Sequence, residues 1–93
     1  MSRLRATPET AKAAFVREVR IRRAHIDMTQ RQLAEEVGVV PSVMSALLAN
    51  PDKISAGRLR AIVQTLAPDP AIILEFLGYS PKDIRKLKEQ GDR

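Results

Sequence analysis

Few side chains in this sequence could carry out a reaction. His25 is the single histidine and there is no cysteine, so neither a thiolate site nor an ordinary zinc site can be assembled within one chain. Glu35 and Glu36 are adjacent, hence not on one helix face, and read as solvated surface rather than a carboxylate dyad. There is no nucleophile–base set and no phosphate loop of the G-x-x-x-x-G-K type. The expectation is a protein that is not an enzyme and holds no cofactor or metal. What remains is the chemistry of recognition. Ser42, Ser45, Gln30 and Asn50 offer hydrogen bonds, while Lys53 and a group of arginines offer positive charge.

The elements that must position these residues are marked by caps and periodicity. Thr29 with Gln32 three residues later forms a T-x-x-Q capping box, which starts a helix over about Gln30–Val37. Leu33 and Val37 supply its apolar positions, and Gly38 stops it at a residue able to reach positive φ. Pro41 opens a second helix that runs to about Asn50, with Met44, Leu47 and Leu48 as its apolar stripe and Asn50-Pro51-Asp52 as its stop. Helical phase then turns Pro41, Ser42, Ser45 and Ala46 outward. Ala34 is small enough to let the two axes cross closely. A short capped helix, a glycine turn and a second helix make the unit whose second helix can enter the major groove of DNA. Such pairs also occur in plain bundles, so the spacing alone leaves both readings open.

Around this pair the pattern is helical throughout. Thr7-Pro8 starts a first helix with Ala11, Phe15 and Val19 on one stripe, Val16 and Arg23 beside it, and Arg17, Arg20 and Arg22 outside. It should end near Ala24 or His25. Ser55 caps a fourth helix through Leu59, Ile62, Val63 and Leu66. Asp69-Pro70 starts a short fifth containing Ile72, Ile73, Phe76 and Leu77, closed by Gly78. Ser80-Pro81-Lys82-Asp83 starts a last helix to about Gln90, with only Ile84 and Leu87 to bury, so it is either weakly docked or free. The division is a basic arm at 1–6, one domain at 7–78, and a C-terminal helix and tail at 79–93.

Composition agrees with helices. Aromatic residues make up 3% of the 93, which leaves an aliphatic core and no stacking platform for single-stranded nucleic acid. The formal charge is +5. Residues 1–31 hold eight Lys/Arg against three acids, 32–81 hold three against five, and 82–93 hold five against three. Basic ends suit a nucleic-acid partner. No apolar run reaches membrane-spanning length, and the expected location is cytoplasmic, associated with the nucleoid.

The string TQRQLAEEVGVVPSVMSALLANP resembles the phage-repressor type of helix-turn-helix, the XRE-type family of lambda-like repressors and Cro-like proteins. Thr29-Gln30, Leu33-Ala34 and Gly38-Val39 match its pattern, as do Met44 and Leu47 in the second helix. The likeness extends from about Phe15 to Leu77. It implies an all-α, compact, five-helix lambda-repressor-like DNA-binding domain with a short extra C-terminal helix. Two features depart from the family. Val40 stands where a polar cap is usual, and the reading positions carry no Gln, Arg or Lys.

The resemblance also implies roles. Pro41, Ser42, Val43, Ser45 and Ala46 face the bases, the serines through hydrogen bonds and the apolar residues through thymine methyls. Solvated small residues are the alternative. Gln30, at a helix start with free N–H groups, meets a phosphate, as do Asn50 and Lys53 in the following loop. Arg23 supports phosphate contacts or pairs with Glu35 or Glu36. Apart from the resemblance, Arg3 and Arg5 read either as an arm along the minor groove, where the narrow-groove potential favours arginine, or as an untethered charged terminus. Ile72, Ile73, Phe76 and Leu77 pair two subunits into a homodimer or are all core. The function expected is sequence-specific binding of double-stranded DNA by a transcriptional regulator: a repressor, a Cro-like switch or the DNA-binding antitoxin of a toxin partner. The alternative is a protein-interaction module of the same fold with little base readout.

Overall fold

The computed structural model describes residues 8–91, which form six α-helices and no strand. These are α1 (Pro8–His25), α2 (Gln30–Val37), α3 (Pro41–Ala49), α4 (Ala56–Leu66), α5 (Pro70–Phe76) and α6 (Pro81–Gly91), with a 3₁₀ turn at Pro51–Lys53 between α3 and α4. Thr7, Arg3 and Arg5 lie outside the described residues.

α1 packs along α5 and touches α4, while α2 sits against α3 and α4. The stripe of α1 is buried as its spacing predicts, with Ala11, Phe15 and Val19 at most 5% exposed. Phe15 and Val19 join Leu33, Ala34, Met44, Ile62, Leu66 and Ile73 in one core. Each large aliphatic or aromatic side chain buried in this way contributes roughly 1.5–3 kcal/mol. The Phe15 and Phe76 rings stack at a centroid distance of 4.4 Å, tying α5 to α1.

Local chemistry explains the boundaries. The capping box closes in both directions: the Gln32 N–H donates to Thr29 Oγ1 at 3.0 Å, and the Thr29 N–H donates to Gln32 Oε1 at 2.8 Å. Gly38 adopts φ 87°, and its N–H and that of Val39 both reach the Ala34 carbonyl at 2.9 Å. Val40 gives α3 no side-chain cap. Pro41 lessens the cost, because it fixes a helical φ and has no N–H to satisfy. Ser55 caps α4 by accepting from the Arg58 N–H, and Asp69 caps α5 by accepting from the Ala71 N–H. α4 ends at Ala67 with φ 49°, a left-handed turn made without glycine.

α5 ends at Phe76 and is closed by Gly78 as its sequence predicts: Gly78 adopts φ 101°, and the N–H groups of Gly78 and Tyr79 return to the Glu75 and Leu74 carbonyls. Of the two alternatives for the last helix, the structure shows the docked one. Ser80 and Asp83 cap it reciprocally, and Ile84 is 6% exposed against the body of the domain.

Candidate nucleic-acid interface

α3 presents two unlike faces. Met44 and Leu47 are buried, whereas Pro41, Ser42, Ser45, Ala46 and Ala49 are exposed. Val43, expected on the outward face, is half-buried at its margin. α3 is held in place by Ala34, Met44 and Leu47, and by the sharp turn at Gly38. Because Ala34 is fully buried, its small side chain sets how closely α2 and α3 approach.

Gln30 sits at the start of α2 and reaches across to α3. Its Nε2 donates to Ser45 Oγ at 2.9 Å, joining the helix start to the exposed face of α3. The sequence suggested separate roles for these two residues and did not show this bond. It spans 15 positions and depends on the crossing of the two helices. The capping box takes up the Gln32 N–H, and the N–H groups of Gln30 and Arg31 at the head of α2 find no acceptor among the described residues.

Asn50 and Lys53 are both exposed, at either end of the short turn that follows α3. Asn50 satisfies its backbone N–H on the Ala46 and Leu47 carbonyls, and its own carbonyl accepts from the Lys53 N–H. Beside them, Lys12 of α1 pairs with Asp52 at 2.6 Å. The hydrogen bond to Asp52 raises the Lys12 pKa, the nearby carboxylates of Asp52 and Glu9 act in the same direction, and desolvation opposes them. This pair neutralises the one acid in the turn.

Arg23 forms no ion pair with Glu35 or Glu36. Its Nη1 donates to the Met28 carbonyl at 3.0 Å, closing the loop between α1 and α2, and its Nε is buried without a protein partner. The loop brings a backbone acceptor nearer than either glutamate, so the side chain is spent on the chain's own turn.

The apolar residues of α5 divide. Ile73 belongs to the core and Phe76 stacks on Phe15, so both hold the domain itself together. Ile72 is half-buried and shares a small hollow with Ala14 and Ile21, while Leu77 is 54% exposed. Leu77 lines a groove of about 540 Å³ with Ile54, Leu59, Val63 and Phe76.

Among the described residues, no group of three His, Asp or Glu side chains gathers in a way that could hold a metal ion. No helix of these residues is long and apolar enough to cross a membrane. No family model, curated protein or solved structure matches the chain.

Proposed function

We propose that the chain binds double-stranded DNA as a transcriptional regulator, using α2 and α3 as a helix-turn-helix in a lambda-repressor-like arrangement. The observation that carries this reading is the two-faced α3. One face is locked into the core by Met44 and Leu47, and the other is an exposed strip of small side chains joined to the head of α2 through Gln30 and Ser45. A strip of this kind can approach base edges closely, since no long side chain holds the backbone away. The serines supply hydrogen bonds there, and Ala46 and Pro41 supply contacts for thymine methyls. The free N–H groups at the start of α2, with Lys53 beyond α3, suit phosphates on either side.

A module of this size covers little DNA, and two copies reading paired half-sites answer that need. The groove beside Leu77 supports a homodimer formed along α4 and α5. Selection of bound sequences from random duplexes tests the whole reading. Enrichment of a palindrome is the expected result, and no enrichment over input counts against it.

A second reading, a protein-interaction module of the same fold, is favoured by one feature. The outward strip lacks Arg, Lys and Gln, and Val40 beside it is 58% exposed. Under that reading the chain retains no more affinity for a selected duplex than for a scrambled one.

A further inference from the structure

α1 carries five Lys/Arg side chains among its 18 residues, and three of them are engaged within the fold. Lys12 pairs with Asp52, Arg22 with Glu18, and Arg23 with the Met28 carbonyl. Arg17 and Arg20 are exposed and make no ion pair or hydrogen bond among the described residues. These two residues line one groove of about 580 Å³, running between α1 and the C-terminal end of α3. Arg17 stands on the ridge between this groove and the hollow beside Ile21. The floor is Val16, Leu48 and Pro51, and the lip is Ala49 and Asn50, where the exposed strip of α3 ends.

We propose that this groove carries the sugar-phosphate backbone of duplex DNA beyond the stretch that α3 covers, with Arg17 and Arg20 each neutralising a phosphate. The proposal rests on the DNA-binding reading above and extends its footprint to a second element. Residues three apart on a helix share a face, with Cβ atoms about 5–6 Å apart, so like charges there repel. Nothing in the described fold relieves that repulsion, and a polyanion does. The Lys12–Asp52 pair offsets the negative charge of the neighbouring turn, and the one acid lining the groove itself, Glu9, sits one turn before Lys12, at the opposite end of the α1 wall from Arg17 and Arg20. The apolar floor accepts deoxyribose without stranding a polar group. An acidic protein segment is the competing occupant, and the continuity with α3 favours DNA.

The test uses the full chain carrying Arg17→Gln and Arg20→Gln together, with circular dichroism to confirm an unchanged fold. Fluorescence anisotropy follows binding across a salt series to a selected duplex, a scrambled duplex, and a selected duplex lengthened by about 5 bp, half a turn, on each side. The expected result is a salt slope shallower by about 2, because each neutralised phosphate contributes about 0.9. Affinity falls by similar factors on selected and scrambled DNA, and the gain that wild type draws from the lengthened duplex is lost. An unchanged slope, with wild type still binding DNA, overturns this proposal alone. Wild type that binds no duplex overturns the DNA reading as well. A poly-glutamate peptide that binds wild type and not the double variant, with the duplex slope unchanged, gives the groove to a protein partner and also overturns the proposal.

Discussion

The Glu18 carboxylate of α1 accepts a hydrogen bond at 2.8 Å from the backbone N–H of Asp69, 51 positions away at the head of α5. The same oxygen accepts from Arg22 Nε at 2.9 Å, and the residue is only 8% exposed. A buried carboxylate thus ties the body of α1 to the head of α5. Glu18→Ala strands the Asp69 N–H, and a loss of ~1–3 kcal/mol in urea unfolding is expected. Glu18→Gln keeps an acceptor for that N–H and should cost less.

The same residue sets an acid sensitivity. Its pKa is held below the ordinary glutamate value, chiefly by the Asp69 N–H and then by Arg22, with desolvation opposing. A depressed pKa in the folded state means that the contribution is complete above the unfolded-state value. It is lost as pH falls through the folded-state value. Wild type should therefore lose stability below the ordinary glutamate range more steeply than Glu18→Gln. Denaturation midpoints across that range check this, and parallel curves for the two proteins would contradict it.

The geometry of the α2–α3 turn gives a second pair of outcomes. Nothing lies within 4 Å of a Cβ built on Gly38, so a side chain there meets backbone strain rather than a clash. Gly38→Val should cost ~1–3 kcal/mol, and Gly38→Asn distinctly less, since Asn tolerates this conformation. Ala34 is fully buried, and Ala34→Leu should cost ~1–3 kcal/mol through overpacking. Thermal melts measure all three.

Phosphate contact and base reading should separate by mutation. Lys53→Ala is expected to weaken cognate and random duplexes alike and to lower the salt slope by about 0.9. Gln30→Ala removes the bond to Ser45 and carries no charge, so both duplexes weaken with little change of slope. Ser42→Arg should change which sequences are preferred while leaving random binding similar or stronger. Unchanged preference would remove α3's outward strip from the bases.

Assembly is best probed at Leu77. Ile73→Glu or Phe76→Glu strikes the core and the Phe15 stack, so either is expected to unfold the domain. Leu77→Glu alters an exposed side chain and should halve the mass in sedimentation while the fold persists. Wild type that is already monomeric at high concentration would end the dimer proposal.

Local signals in the sequence determined the helices. The box of Thr29 and Gln32, the positive φ of Gly38, the proline of α3 and the stripe of Ala11, Phe15 and Val19 all involve residues within one or two turns. Short-range hydrogen bonding and a 3.6-residue period are enough to show them. The exposed strip of α3 was legible for the same reason, since phase opposes Ser42, Ser45 and Ala46 to Met44 and Leu47. Only tertiary structure decided what these elements meet. Gln30 on Ser45, Lys12 on Asp52 and Glu18 on Asp69 join different helices and turns, and which partners meet depends on how the helices cross. The same packing took Arg23 out of reach of Glu35 and Glu36, and drew Ile73 and Phe76 inward while leaving Leu77 exposed. Periodicity records that a residue has an apolar or charged side chain on a given face. Packing assigns that face its neighbour, through contacts between residues that are distant in the chain.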